Sequence, residues 1–342
     1  MIDILPWHQK PLRELLARRT TFPHALLIYG QRGIGKHEFA RALAHSLLCE
    51  APQETIACGV CPACHWLGFG NHPDFRELQP ESEQDDELVA DADAAGSSDE
   101  SEPKKKSKDI RIEQIRAVAD FMTLSTHRAG FRVLLIHPAE SMNAAAANAL
   151  LKTLEEPPPA TAILLVSDQI ARLPATIRSR CQRVRVVAPA KAEALAWLAS
   201  RGVAHGDIAL AMAGGAPLDA IENASAEFQA TRDAFIKVLV SPDLDYVSAA
   251  AALEKTDLPM LLTWLQTWVL DLVLARVAGE ARFFADHKSA LQRIALRAEL
   301  PKLFRLDSEL RQARRSVSHP LNPRLLREQL LISYQLATKP TA

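Results

Sequence analysis

Along the first half of the chain, short continuous apolar runs alternate with segments whose apolar residues recur every three or four positions. Ala25-Leu26-Leu27-Ile28-Tyr29, Asp74 to Leu78, Arg132-Val133-Leu134-Leu135-Ile136, Ala162-Ile163-Leu164-Leu165-Val166 and Val184-Arg185-Val186-Val187 read as strands. Runs that are apolar on both faces fit a parallel sheet covered by helices on each side. Between them, His37 to Leu48 places Phe39, Leu43 and Leu47 on one helical face, and Ile112, Ile115, Val118 and Met122 form another. Ser141 to Glu156 is an alanine-rich helix ended by Pro157-Pro158-Pro159. This alternation predicts an α/β fold for roughly the first 185 residues.

From Pro189 onward the strand-like runs cease. Lys191 to Arg201 and His205 to Ala213 read as short helices stopped at Gly202 and Gly214-Gly215. Phe228 to the end reads as a helical bundle, with segments starting near Ala230, Tyr246, Leu258, Ala281, Pro301 and Pro323. Asp257 before Leu258-Pro259 is a natural N-cap with proline in the first turn. The most apolar stretch, Leu258 to Val277, is broken by Thr263, Gln266, Thr267, Asp271 and Arg276, which fits a buried amphipathic helix better than a membrane span. One segment departs from the pattern. Glu81 to Lys108 carries ten acidic residues and closes on Lys104, Lys105, Lys106 and Lys108. It holds too little apolar surface to order itself, and reads as a disordered surface insertion.

A chain of 342 residues predicts two or three domains. A hydrophobic content of 48% with 24% charged residues fits a soluble globular protein, and a net charge of −1 argues against gripping nucleic acid by bulk charge. Met1 to Lys10 already contains Asp3, Pro6, His8 and Lys10, so no signal pattern is present and the expected compartment is cytoplasmic.

Candidate chemistry enters at Gly30-Gln31-Arg32-Gly33-Ile34-Gly35-Lys36-His37, between the first strand and the first periodic helix. The phosphate-binding pattern G-x-x-x-x-G-K-[ST] cradles phosphates in backbone N–H groups, adds a lysine, and ends in a hydroxyl on Mg²⁺. Gly30, Gly33, Gly35 and Lys36 are present, but His37 replaces the hydroxyl. The expectation is a nucleotide-binding ancestry with impaired hydrolysis. Weak ATP binding through Lys36 and the loop amides, or a relic lysine, are equal readings.

Cys49, Cys58, Cys61 and Cys64 follow as C-x8-C-x2-C-x2-C. Four soft thiolates at this spacing suit tetrahedral Zn²⁺, and with no open position the site should be structural. Two disulfides are the alternative, disfavoured in a reducing compartment. His65 and His72 read as ordinary surface or core histidines.

Together with Asn148-Ala149-Leu150-Leu151-Lys152-Thr153-Leu154-Glu155-Glu156-Pro157-Pro158 and Ser179-Arg180-Cys181, these features resemble the AAA+ clamp-loader subunits of bacterial DNA polymerase III. The resemblance spans the chain. It implies a P-loop domain with a zinc module (49–64) over residues 1–187, a helical lid over 188–226 and a helical oligomerising collar over 227–342. The family contains motors that hydrolyse ATP and a companion that does not. Motors need an acidic pair after the strand Val133 to Ile136, where this chain has His137-Pro138; Glu140 is near in sequence but should project from a different point. A motor's lid arginine is matched here by Leu218, and Ser167 stands near the sensor position. Phosphoryl transfer depends on placing Mg²⁺, water and cations around the γ-phosphate, so these losses imply little turnover.

The resemblance gives Arg180 the role of an arginine finger reaching in trans into a neighbour's ATP site, against the plainer reading of a structural salt bridge, and Cys181 that of a packing residue. It implies gamma or tau ATPase subunits and a clamp-opening delta subunit as partners, with the sliding clamp and primed DNA reached through the complex. Direct DNA contact should be modest, since no basic run with interleaved aromatics appears. Two rivals stand beside this stator reading. One is an ATP-hydrolysing motor of the gamma/tau type, in which His37 or Glu140 would replace missing metal ligands. The other is a zinc-containing DNA-binding module on a decayed nucleotide fold, whose binding alone would fall steeply with salt. A small-nucleotide kinase is more distant, as no acceptor-binding residues can be named.

Overall fold

Five strands, β1 (Ala25–Tyr29), β2 (Phe75–Leu78), β3 (Arg132–Ile136), β4 (Thr161–Ser167) and β5 (Gln182–Arg185), form one parallel sheet in the order β2-β3-β4-β1-β5. The computed structural model describes residues 4–83, 107–123, 130–241, 245–316 and 322–339. It comprises two compact units, Met1–Ala188 and Pro189–Ala342. In the first, α1 (Gln9–Leu16) packs on α2 (Lys36–Leu48), and α3 (Pro62–Gly68) follows the cysteine loop. Alternate strand residues Leu27, Leu134, Ile136, Ile163 and Leu165 face α4 (Ile112–Thr123) and α5 (Ala144–Glu155) through side chains such as Ile115 and Leu150. The intervening residues meet α2, whose Phe39, Leu43 and Leu47 are fully buried. Both faces of the central strands are therefore dry, which is why they read as unbroken apolar runs.

Most predicted elements stand where the pattern puts them. The last strand differs. It starts at Gln182 rather than Val184, pairing Leu26 with Gln182 and Tyr29 with Arg185. Val186 adds one bond to the Tyr29 carbonyl at 2.9 Å, while Val187 is 61% exposed. An edge strand buries little, so its apolar residues do not mark its start. The short α6 (Ala175–Arg178) leads into it.

The second unit is helical among its described residues. Helices α7 (Lys191–Ser200), α8 (Gly206–Met212) and α9 (Pro217–Asn223) pack on one another. Helices α10 (Ala226–Val240), α11 (Tyr246–Ala252), α12 (Leu258–Val277), α13 (Lys288–Arg297), α14 (Leu300–Ser316) and α15 (Pro323–Thr338) share a core around Phe235, Trp264, Trp268 and Phe284. Ser225 and Asp257 cap α10 and α12, accepting from Phe228 N and Met260 N at 3.2 Å. The helix expected near Ala281 begins only at Lys288. The fully buried Asp271 carboxylate accepts from the backbone N–H groups of Arg282, Phe283 and Phe284 at 2.7–2.9 Å, holding that stretch out of a helix. α12 is long and apolar enough to cross a membrane, but Leu261, Leu265, Trp268 and Leu272 on it belong to the bundle core.

The predicted insertion over 81–108 lies, from 84 to 106, outside the described residues. Its ends meet: Ser82 N donates to Ser107 O at 3.0 Å, and Ser107 N to the Glu81 carboxylate at 3.1 Å.

Candidate functional site

The loop between β1 and α2 has the shape its glycines require. A Cβ on Gly30 would lie 2.3 Å from the Val186 carbonyl, and Gly35 caps α2 at φ +86° with Leu5 and His8 packed against it. The N-terminal turn holds the loop further, with Trp7 Nε1 donating to Ile34 O at 3.0 Å. Burial, helped by the Lys36 charge and opposed by the bond to Ile34, lowers His8 to about 4.

Lys36 is satisfied inside the protein. Its side chain is only 3% exposed, and Nζ lies 2.5 Å from the Gln31 carbonyl and 2.5 Å from the Asp168 carboxylate. Asp168 follows β4, and its position is fixed from behind: one Glu140 oxygen accepts from the N–H groups of Asp168 and Gln169 at 3.0 Å each. One Glu140 oxygen is thus committed to the backbone after β4. Ser167, at the end of β4, is fully buried and accepts from Gln169 N at 3.1 Å.

His37 turns to the neighbouring strand. Its Nε2 bonds to Glu77 on β2, and its ring stacks on His137 at 4.5 Å between centroids and 13° between planes. Burial tends to raise the Glu77 carboxyl, but the His37 bond and charge, with Arg41, hold it below the usual carboxylate range. His137 is lowered to about 4 by burial and by His37, against the pull of Asp168 and Glu77. A neutral, stacked imidazole therefore occupies the end of β3, the place where a motor needs carboxylates.

Sequence reasoning missed Asp168 and Glu77. Their signal was an acid at or near the C-terminal edge of a parallel strand, where ligands of such sheets gather. Asp168 sets its charge against any phosphate approaching the loop through the cavity of about 450 Å³ that it lines with Gly30, Gln31 and Arg185. Replacing it with asparagine removes that repulsion and releases Lys36. Asp168→Asn should raise the affinity for ATP without Mg²⁺ by about tenfold or more, read by calorimetry on the full chain. An unchanged affinity would show that Asp168 does not close the loop.

Arg180 lies apart from this loop. Leu173, Ile177 and Cys181 anchor the α6 turn in the sheet's core, and burial pushes the Cys181 thiol up to about 11. With Ile177 and Cys181 pointing inward, Arg180 stands on the outer side with its side chain 35% exposed. Nη1 donates to Thr176 O at 3.0 Å, and Nη2 pairs with Glu155 at 2.6 Å. The salt-bridge reading and an outward guanidinium thus coexist at one residue. Leu218 is half-buried at the start of α9.

The four cysteines converge. Cys49 Sγ lies 3.6 Å from Cys58 Sγ and 3.8 Å from Cys61 Sγ, and Cys58 Sγ lies 4.0 Å from Cys64 Sγ. All four sulfurs fall within 4.8 Å of one another. Zn–S bonds of ~2.3 Å in a tetrahedron put sulfurs ~3.8 Å apart, so the set fits such an ion. Backbone N–H groups of Cys58 and Cys61 point at the sulfurs of Cys49 and Cys58, each at 3.3 Å. Burial raises the thiols of Cys49 and Cys64, whereas backbone bonds lower Cys58 and, against burial, Cys61 to about 6. Four thiolates need a cation to coexist this closely, and the residues can hold one. His72 is buried and takes the Asp74 N–H on Nδ1, which gives it a structural place outside the set.

Sequence comparison relates the chain to known proteins. The family described as "DNA polymerase III, delta subunit" matches residues 9–190, and "DNA polymerase III, delta subunit, C terminal" matches residues 226–335. DNA polymerase III subunit delta' of Pseudomonas aeruginosa is 33% identical over 98% of each chain. The Escherichia coli subunit delta' is 31% identical over 81% of this chain and 78% of its own length. DNA polymerase III subunit gamma of Buchnera aphidicola is 33% identical, but over only 46% of this chain and 36% of its own. This gamma match covers less than half of this chain, whereas the Pseudomonas aeruginosa delta' match runs nearly end to end and includes residues 227 onward. The chain belongs to the delta' subunit family of DNA polymerase III.

Proposed function

We propose that this clamp-loader subunit is a non-hydrolysing stator, lending Arg180 to the ATP site of a neighbouring motor subunit while its own loop stays shut. The observation that carries the reading is the state of the loop. Lys36 is neutralised by Asp168 and Gln31, His37 is spent on Glu77, and a neutral His137 ends β3. A site built this way lacks the hydroxyl after Lys36 that holds Mg²⁺, and its carboxylates are taken up by Lys36, by His37 or by backbone N–H groups. Arg180, by contrast, presents a cation at the surface.

The partners are gamma or tau ATPase subunits and the clamp-opening delta subunit, and the complex loads the sliding clamp on primed DNA in the cytoplasm. Residues 188–226 act as the lid and 227–342 as the collar that joins the subunit ring. The ion held by Cys49, Cys58, Cys61 and Cys64 is Zn²⁺, and it staples the loop after α2 rather than taking part in chemistry.

ATP turnover by a loader reconstituted with gamma, delta, clamp and primed DNA tests the proposal. The chain alone should show no turnover above background, and adding it to the other subunits should raise theirs. Steady hydrolysis by the isolated chain would make it a motor and sink the stator reading.

A further inference from the structure

The run Asn148 to Pro158 was singled out by its sequence, yet the stator reading gives it no task. Glu155, the last residue of α5, supplies one. Its carboxylate stands at the negative end of the helix dipole, where an acid is unfavourable, so helix stability does not account for it. What it contacts is Arg180, at 2.6 Å. With Thr176 O holding Nη1, the guanidinium is gripped at two of its five donors from one side. An ion pair whose partners are 35% and 49% exposed is weak and readily exchanged. Such a pair fixes direction without binding the arginine so tightly that it cannot engage another anion.

We propose that Glu155 is the positioning residue of the finger, orienting the Arg180 guanidinium towards the phosphoryl group of the neighbouring site; the inference rests on the stator reading. Positioning matters to the transition state more than to the bound nucleotide, so its loss should appear in kcat and leave KM alone. Glutamine retains an acceptor oxygen at the same reach, whereas alanine retains none.

The test is ATP turnover by the reconstituted loader carrying wild-type chain, Glu155→Ala, Glu155→Gln, Arg180→Ala or the Glu155→Ala/Arg180→Ala pair. Glu155→Ala should lower the kcat that the chain confers by about tenfold with KM unchanged, and Glu155→Gln should recover most of it. The double variant should match Arg180→Ala, because Glu155 acts only through that residue. A wild-type kcat for Glu155→Ala overturns the inference while a lowered Arg180→Ala leaves the stator reading intact. An additive loss in the double variant, or a raised KM, also overturns it by showing an independent structural role. If Arg180→Ala itself matches wild type, the finger fails and the positioning role fails with it.

Discussion

On the stator reading, Arg180→Ala should remove roughly 10³-fold of the turnover at the neighbouring ATP site the finger is proposed to reach, with little change in the chain's own stability. The magnitude follows from what a guanidinium does to a transferring phosphoryl group: it meets charge that exists fully only in the transition state, so its absence shows in rate. The stability expectation follows from burial. Ile177 and Cys181 anchor the α6 turn, while Arg180 contributes only half-exposed contacts to Thr176 O and Glu155. Arg180→Lys should fail nearly as badly, since an ammonium keeps the charge but not the planar fork. The measurement is single-turnover hydrolysis in the reconstituted loader, scored as the component that appears when the chain is added. Wild-type turnover with Arg180→Ala would leave the chain a scaffold and nothing more.

The sequence made the loop legible because its glycines and Lys36 are local and their spacing is strict. It also marked the loss at His37 and at His137-Pro138, each a missing residue type at a fixed place. What it could not show was where the leftover groups go. The Lys36–Asp168 pair joins residues more than a hundred positions apart, and Glu140 reaches the loop after β4 only because β3 and β4 are neighbours. No local pattern encodes such meetings; the sheet order does. The bundle repeats the lesson. Asp257 at an N-cap is a local signal and was read correctly, whereas Asp271 delays α13 through bonds to a loop eleven to thirteen residues away. Cysteine spacing is the favourable case, since three of the four ligands lie within seven consecutive residues.

That cluster carries the second large effect. The chain should contain one zinc ion, and Cys58→Ser or a strong chelator should unfold the cysteine loop over residues 50–62, while α3 keeps the packing of its buried Ala63 and Leu67. The reason is what lies between the cysteines. Glu54 and Thr55 adopt positive φ, Val60 is 70% exposed, and the ladder there is one bridge between Gln53 and Ile56. Such a stretch buries little apolar surface of its own, so the metal supplies most of its ordering free energy, of which apparent values of ~10–16 kcal/mol are typical in small zinc modules. The sheet has its own core through α2, α4 and α5 and should survive. Loss of metal should therefore give a lower melting temperature for the first unit and new protease cleavage between residues 50 and 64, with β-sheet signal retained. Acid should mimic the chelator, since falling pH protonates the thiolates that hold the ion. Metal analysis, limited proteolysis and thermal melting of wild type against Cys58→Ser decide the matter. A metal-free chain whose cysteine loop resists protease as wild type does would show that the four sulfurs meet for packing alone.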